Sequence, residues 1–215
     1  RYTSASSNTQ QVQFRLAPSE ALYGTGSRAI SQNRRGFSLQ NYHQPHYGYS
    51  LGEQNLNVSI PFIISSKGYG IYFDNIAAGT FDLGKTKTDE LRYLTESGKA
   101  SYFIMTGSND QLLASYTYLT GKQPLPPRWA LGFIQSRFGY KSATETIETV
   151  KKTIAAGYPI DATVLDLFWY GDVKTMGNHA WRRDSFPEPE KMLRTLKELG
   201  VKTIVTPCAG CYGTM

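Results

Sequence analysis

Asp166 is the residue most able to do chemistry in this sequence. It is the one charged side chain in an otherwise apolar run, Ala162-Thr163-Val164-Leu165-Asp166-Leu167-Phe168. A carboxylate in such a run is costly to bury without a partner. Two readings follow: a structural aspartate that caps a loop or pairs with an arginine such as Arg137, or a carboxylate that holds a polar ligand. The segment after it, Trp169 to Ser185, is long and carries Trp169, Tyr170, His179 and Trp181. Long loops at such positions often have functional roles, although a packing loop without ligand contact fits the composition equally well. Upstream, Gln135-Ser136-Arg137-Phe138-Gly139-Tyr140 offers a guanidinium able to grip a carboxylate and a ring at Phe138. Cys208 and Cys211 form a C-x-x-C pair, which by itself cannot fill a four-ligand zinc site. His43, His46 and His179 are too scattered to suggest a metal cluster. The sequence carries no phosphate-cradling glycine loop or nucleophile elbow. Neither a cofactor nor a metal is expected.

The elements that position these residues fall into two rhythms. From Arg1 to about Gly107 the pattern is strand-like. Val12, Phe14 and Leu16 alternate with polar residues, and Ile60–Ser65 and Tyr69–Asp74 flank the turn Ser66-Lys67-Gly68. Many short strands with turn signals predict an antiparallel β-sandwich. Leu112, Leu113, Tyr116 and Leu119 then share a helical face, capped by Ser108 or Asn109. The cluster Gln123-Pro124-Leu125-Pro126-Pro127 reads as a linker. The boundaries expected are 1–122 for the sandwich with its closing helix and 123–215 for a second domain.

After the linker the rhythm is β-α-β-α-β. Ala130–Gln135 reads as a strand, and Ser142 with Glu145 as a capping box for a helix that carries Ile147, Val150 and Ile154 and ends at Gly157. Ala162–Phe168 is the second strand. Pro187 opens a second helix carrying Met192, Leu196 and Leu199, with Gly200 past its end, and Val201–Val205 is the third strand. Alternating strands and helices predict a parallel sheet with right-handed crossovers. In such sheets active sites form at strand C-termini, where Asp166 lies. A full (β/α)8 barrel takes roughly 250 residues, so about three of its eight strands are expected here, with the chain ending before the rest.

Composition excludes other classes. The 215 residues are 40% hydrophobic and 19% charged, enough apolar material for a real core without a metal or disulfide staple. The net charge is +6, but the basic residues are dispersed, so no nucleic-acid partner is expected. No apolar run approaches a membrane span. The chain opens on Arg1, so the lack of a signal peptide says nothing of its compartment.

The same residues carry a family resemblance. Pro126-Pro127-Arg128-Trp129-Ala130-Leu131-Gly132 and Gln135 to Tyr140 resemble the first barrel strand of glycoside hydrolase family 31. Pro159-Ile160-Asp161 and Leu165-Asp166-Leu167-Phe168-Trp169-Tyr170-Gly171 resemble its second, and Phe186 to Met192 with Leu199 to Ile204 the helix and strand that follow. Leu22-Tyr23-Gly24-Thr25-Gly26, Pro61-Phe62 and Gly68 to Asn75 resemble the family's N-terminal sandwich. The resemblance implies a β-sandwich followed by the first part of a TIM barrel, in an exo-acting retaining enzyme on α-glucosides or related sugars. A 4-α-glucosyltransferase or α-xylosidase of the same family, and a non-catalytic carbohydrate-binding protein, are the alternatives. The implied partner is an oligosaccharide or α-glucoside; the compartment is left open, a periplasmic or secreted one being compatible with the resemblance. Asp166 is expected to bind sugar hydroxyls, with Phe138, Trp169 and Leu167 beside it. A sandwich loop near Asn41–Tyr47 is expected to reach the barrel mouth. Retaining chemistry needs two carboxyl groups about 5–5.5 Å apart, and the resemblance places both beyond Met215. Two departures stand out: Ser27 where the family often has Glu, and Thr206-Pro207-Cys208-Ala209-Gly210-Cys211 where it usually has an acidic-Pro pair.

Overall fold

The computed structural model describes residues 2–4, 9–43, 48–175 and 178–206. The chain divides into two units, Arg1–Gln123 and Pro124–Met215.

The described residues of the first unit form nine strands: β1 (Tyr2–Ser4), β2 (Gln10–Arg15), β3 (Leu22–Gly26), β4 (Ser38–Asn41), β5 (Ser59–Ser65), β6 (Tyr69–Asp74), β7 (Gly79–Leu83), β8 (Glu90–Thr95) and β9 (Ser101–Thr106). They form two antiparallel sheets, ordered β1-β2-β8-β7-β4 and β3-β5-β6-β9. The alternation read in the sequence becomes burial: in β8, Leu91, Tyr93 and Thr95 point inward while Glu90, Arg92 and Leu94 are more open. Leu22, Ile63, Ile71 and Phe73 of one sheet meet Leu39, Phe81, Leu83, Leu91 and Tyr93 of the other in a single sandwich core. The rings of Phe73 and Tyr93 lie 4.3 Å apart at its centre. Ser65 pairs with Tyr69 across the Ser66-Lys67-Gly68 turn, as the hairpin signal predicts.

Helix α1 (Asn109–Thr120) closes the unit. Ser108 is its cap, and Gln111 completes a capping box by accepting from the Ser108 N–H at 2.9 Å. The predicted stripe is only partly buried. Leu112 and Tyr116 pack on Phe62, Tyr72 and Met105, on the face of the four-stranded sheet away from the sandwich core, whereas Leu113 and Leu119 are exposed. Tyr116 stacks on Phe62 at 4.5 Å with an interplanar angle of 8°.

The second unit contains β10 (Ile134–Gln135), α2 (Ala143–Ala155), β11 (Ala162–Leu165), α3 (Pro189–Glu198) and β12 (Lys202–Val205). The strands are parallel in the order β10-β11-β12, with Ile134 opposite Ala162 and Ala162 opposite Lys202. Both helices lie over Leu165, and the core gathers Val150, Leu196, Met192, Phe186 and Val201.

Several predicted boundaries are corrected. Ala130–Gln135 is not one strand: Arg128–Leu131 is a 3₁₀ turn started by Pro127, and Ala130 N donates to Pro127 O. The chain straightens only past Gly132, where Asp161 accepts from Phe133 N at 2.9 Å. The second strand stops at Leu165 rather than Phe168, because the Asp166 side chain takes the next amide and starts another 3₁₀ turn over Leu167–Trp169. The third helix starts at Pro189, not Pro187, with Phe186 sunk into the core as the chain enters it. The Ser142 cap is present, but Glu145 reaches one residue further back, to Lys141 N at 2.8 Å, so the reciprocal half of the box is displaced.

Candidate functional site

Because the three strands are parallel, their C-terminal ends lie at one edge of the sheet. Three segments emerge there: Ser136–Tyr140 after β10, Asp166–Tyr170 after β11, and Thr206 after β12.

Asp166 sits at the centre of this edge. Its backbone is still extended, but its Oδ1 accepts from Leu167 N at 2.7 Å, which turns the chain out of the strand. The same Oδ1 accepts from Thr206 Oγ1 at 3.0 Å, tying the end of β11 to the end of β12. Among the described residues, no group hydrogen-bonds Oδ2 or forms an ion pair with Asp166. Arg137 does not reach it: its guanidinium pairs with Glu145 at 3.2 Å and lies 5.6 Å from the Tyr140 ring centre. One carboxylate oxygen therefore does the structural capping considered in the sequence, and the other is left over. The result is a rigid, half-buried acceptor at a strand end, suited to hydroxyl or N–H donors.

The aromatic rings of the segments at this edge lie at different depths. Phe138 is 64% exposed, and its edge meets Phe168 at 6.2 Å. Gly139 makes this approach workable: its φ is +128°, and a Cβ there would lie 2.3 Å from the Phe168 ring. Lys141 Nζ stands 5.8 Å from the centre of the Phe168 ring. Leu167 and Trp169, by contrast, are buried in the core of the unit. The Trp169 indole donates to Thr206 O at 3.0 Å, and its ring meets Trp181 edge-on at 5.1 Å. Arg182 N donates to Trp169 O at 2.8 Å, so the long loop folds back onto the strand end it left. His179 is exposed, and Arg182 pairs with Asp184 at 2.9 Å in solvent.

Sequence reasoning missed Thr206 and Phe168. Thr206 stood out only as the first residue of a departure from the family pattern. Its contact with Asp166 depends on a strand pairing 40 positions apart, which no local signal carries. Cys208, Cys211, Met176 and Gly177 lie outside the described residues, as do Gln44 to Tyr47 of the loop expected to reach the barrel mouth. The described start of that loop, Asn41–His43, lines a cavity of about 320 Å³ in the first unit, with Ser59, Pro61 and Asn75. Among the described residues, no group of three or more His, Cys, Asp or Glu side chains is placed to hold a metal ion. No described helix is long and apolar enough to cross a membrane.

Comparison with known proteins matches both units to one family. Residues 2–82 match the glycosyl hydrolase 31 N-terminal galactose mutarotase-like domain, and residues 123–212 match the glycosyl hydrolases family 31 TIM-barrel domain. The chain is 34% identical over 203 residues to an α-xylosidase of Saccharolobus solfataricus, an alignment covering 93% of this chain and 27% of the relative. It is 30% identical over 187 residues to α-glucosidase 2 of Bacillus thermoamyloliquefaciens, covering 85% and 23%. The chain thus spans about a quarter of the length of the curated relatives it matches. Its structure superposes on a dextranase of Flavobacterium johnsoniae, solved with isomaltotriose, with a TM-score of 0.88 and 29% identity over 95% of this chain and 25% of that one. A sandwich followed by parallel β/α units, with both parts matched in order and a solved member superposing across nearly the whole length, places the chain in glycoside hydrolase family 31.

Proposed function

We propose that an enzyme of the relatives' length carrying this chain is a retaining glycosidase. It would cleave α-glucosidic or closely related α-glycosidic bonds at non-reducing ends, with Asp166 binding hydroxyls of the terminal sugar. The observation that carries this reading is the divided carboxylate of Asp166. One oxygen is fixed by Leu167 N and Thr206 Oγ1, and the other has no described partner. A pre-oriented acceptor of this kind binds a hydroxyl without first having to be ordered. Phe138 supplies an exposed ring for the same substrate, while Leu167 and Trp169 act from beneath by holding the strand end in place. Asp166 is not the nucleophile on this reading. Both carboxyl groups of the retaining pair lie outside these 215 residues, and Asp166 serves binding.

A second reading, α-xylosidase, is supported by the 34% identity to one over nearly the whole chain. The two differ in whether the pocket accepts a hydroxymethyl group on the sugar ring.

The test is Asp166→Asn in the full-length enzyme, which keeps the shape and removes the charge. Kinetics on aryl α-glucosides and aryl α-xylosides would be paired with thermal melting. A hydrogen bond to a charged group is worth about 1.5–3 kcal/mol, so kcat/KM should fall by about one to two powers of ten. The melting temperature should hold, since an amide oxygen at the Oδ1 position still accepts both structural hydrogen bonds. A lower melting temperature with normal kcat/KM would return Asp166 to a purely structural role. The preferred aryl glycoside separates glucosidase from xylosidase. Sugar binding without turnover by the full-length protein would favour a non-catalytic carbohydrate-binding protein.

A further inference from the structure

The first unit buries two guanidinium groups for which the strand pattern gives no reason. Arg28 is 7% exposed and Arg34 is 4% exposed. Arg28 donates from Nε to Thr25 O and Thr25 Oγ1, both at 3.1 Å. Its other two nitrogens reach Gln40 O at 2.7 Å and Gln54 O, with longer contacts of 3.5 Å to Asn55 Oδ1 and Ser59 Oγ. None of these partners is a carboxylate. Burial, with the like charge of Arg34, pushes the Arg28 pKa down to about 10, so the fold is holding a cation at a cost. Among the described residues no carboxylate pairs with Arg28, and a buried charge of this kind is offset by the acceptors that take its donors.

Those acceptors converge on the cavity lined by Asn41, Tyr42, His43, Ser59 and Asn75. Gln40 immediately precedes Asn41. Asn55 Nδ2 donates to Tyr42 O at 3.0 Å, and Ser59 Oγ donates to the same carbonyl at 3.2 Å. The His43 Nε2–H donates to Ser59 O at 2.9 Å. Tyr42 and His43 are themselves exposed, so little packing holds them. Their placement depends on hydrogen bonds to Asn55 and Ser59, whose side chains Arg28 touches at 3.5 Å.

We propose that Arg28 is the positioning residue of this cavity: its guanidinium fixes Gln40, Asn55 and Ser59, and through them the rim at Tyr42 and His43. A planar fork with five donors can join three chain segments at once, whereas a lysine ammonium cannot reach the same acceptors in one plane. Arg34 is a separate brace, donating to Ile30 O and Ser31 O within its own turn and, at 3.4 Å, to Gly24 O on β3. The proposal concerns the first unit alone and does not depend on the role of Asp166.

The test uses the 215-residue chain and site-resolved NMR. Arg28→Ala should move the His43 ring signals and the Asn55 side-chain amide signals toward their exposed-peptide positions. It should speed exchange of the Ser27 and Ala29 amides, which donate to Val58 O and Glu53 O, by about ten- to a hundredfold. Signals of β2, β7 and β8 should stay in place. Low-millimolar guanidinium ion, which fits the vacated acceptors, should restore the His43 and Asn55 signals, whereas the same concentration of tetramethylammonium should not. Arg28→Lys should behave like the alanine variant. Should Arg28→Ala fail to fold, Asn55→Ala with Ser59→Ala cuts the relay while keeping Arg28, and His43 should be displaced in the same way. Unchanged His43 and Asn55 signals in a folded variant would overturn the proposal, and so would a uniform change across all strands.

Discussion

Two carboxylates show how partners at the level of single residues separate structure from binding. Glu20 is buried and saturated: it accepts from Ser65 Oγ, Tyr69 Oη and Ala17 N, pinning the β5–β6 hairpin to the start of β3. Burial pushes its pKa up, but the hydrogen bonds from Ser65, Tyr69 and Ala17, with the charge of Arg35, outweigh it and hold Glu20 below the ordinary 4.5. A lowered folded-state pKa contributes stability that is complete above that value and is lost as pH falls through the folded one. Glu20→Gln should therefore cost about 1–3 kcal/mol at neutral pH, and the gap should close in acid. Denaturant titrations from pH 7 to pH 3 would read this; a gap constant across the range would show that the charge is irrelevant. Tyr69 has the opposite sign. Burial and its hydrogen bond to Glu20 push it up to about 12, so its contribution is present below 10.0 and lost as pH rises through 12. Asp166 is the contrasting case, with one oxygen bound and one open. Thr206→Val keeps the shape beside it and removes the donor that fixes Oδ1. In the full-length enzyme, kcat/KM should drop about three- to tenfold with KM affected more than kcat. Kinetics equal to those of the unmodified enzyme would show that Leu167 N alone orients Asp166.

At the scale of elements, the ends decide more than the middles. Sheet edges, caps and 3₁₀ turns place the candidate residues, while the strands behind them are ordinary apolar runs. Asp166 ends β11 by capping the next turn, and Gly139 lets the loop after β10 pass across Phe168. Gly139→Ala must both adopt a φ of +128° and find room 2.3 Å from a ring. It should cost about 1–3 kcal/mol and displace Phe138. Thermal melting checks the first effect, and substrate KM in the full-length enzyme checks the second. A variant with unchanged melting and unchanged KM would mean that the loop is free to relax. Helix α1 is held to the sandwich by few residues, with Leu112 fully buried and Tyr116 stacked on Phe62.

For the whole molecule, the family assignment and the proposed chemistry give one further expectation. The chain contains a matched N-terminal domain and matched barrel residues, and it spans about a quarter of its relatives. If both carboxyl groups of the retaining pair lie outside these 215 residues, the purified chain should show no turnover of an aryl α-glucoside. Catalytic pairs act as units, and loss of one member costs many powers of ten in well-studied enzymes. Turnover above the buffer rate, copurifying with the chain, would move the chemistry into these residues and overturn the role given to Asp166.

Periodicity and punctuation in the sequence were enough for the two architectures. Alternation at Val12 to Leu16 and the Ser66-Lys67-Gly68 turn specify antiparallel strands, because side chains alternate faces and a short polar turn fixes register. The β-α-β rhythm after Pro127 specifies parallel strands, because a helical crossover returns the chain in the same direction. The lone charge at Asp166 stood out for the same local reason, although the strand read through Phe168 stops at Leu165. Long-range pairing decided the rest. Nothing near Asp166 announces Thr206, and nothing near Arg28 announces Gln54 or Ser59; these contacts exist only once distant strands are in register. Whether an apolar residue at the sheet edge is a wall or an open ring is also a tertiary matter. Phe138 and Trp169 look alike as sequence, but core packing buries one and leaves the other in solvent. Local sequence sets the backbone's preferences, and which polar groups find partners depends on segments that the local sequence does not contain.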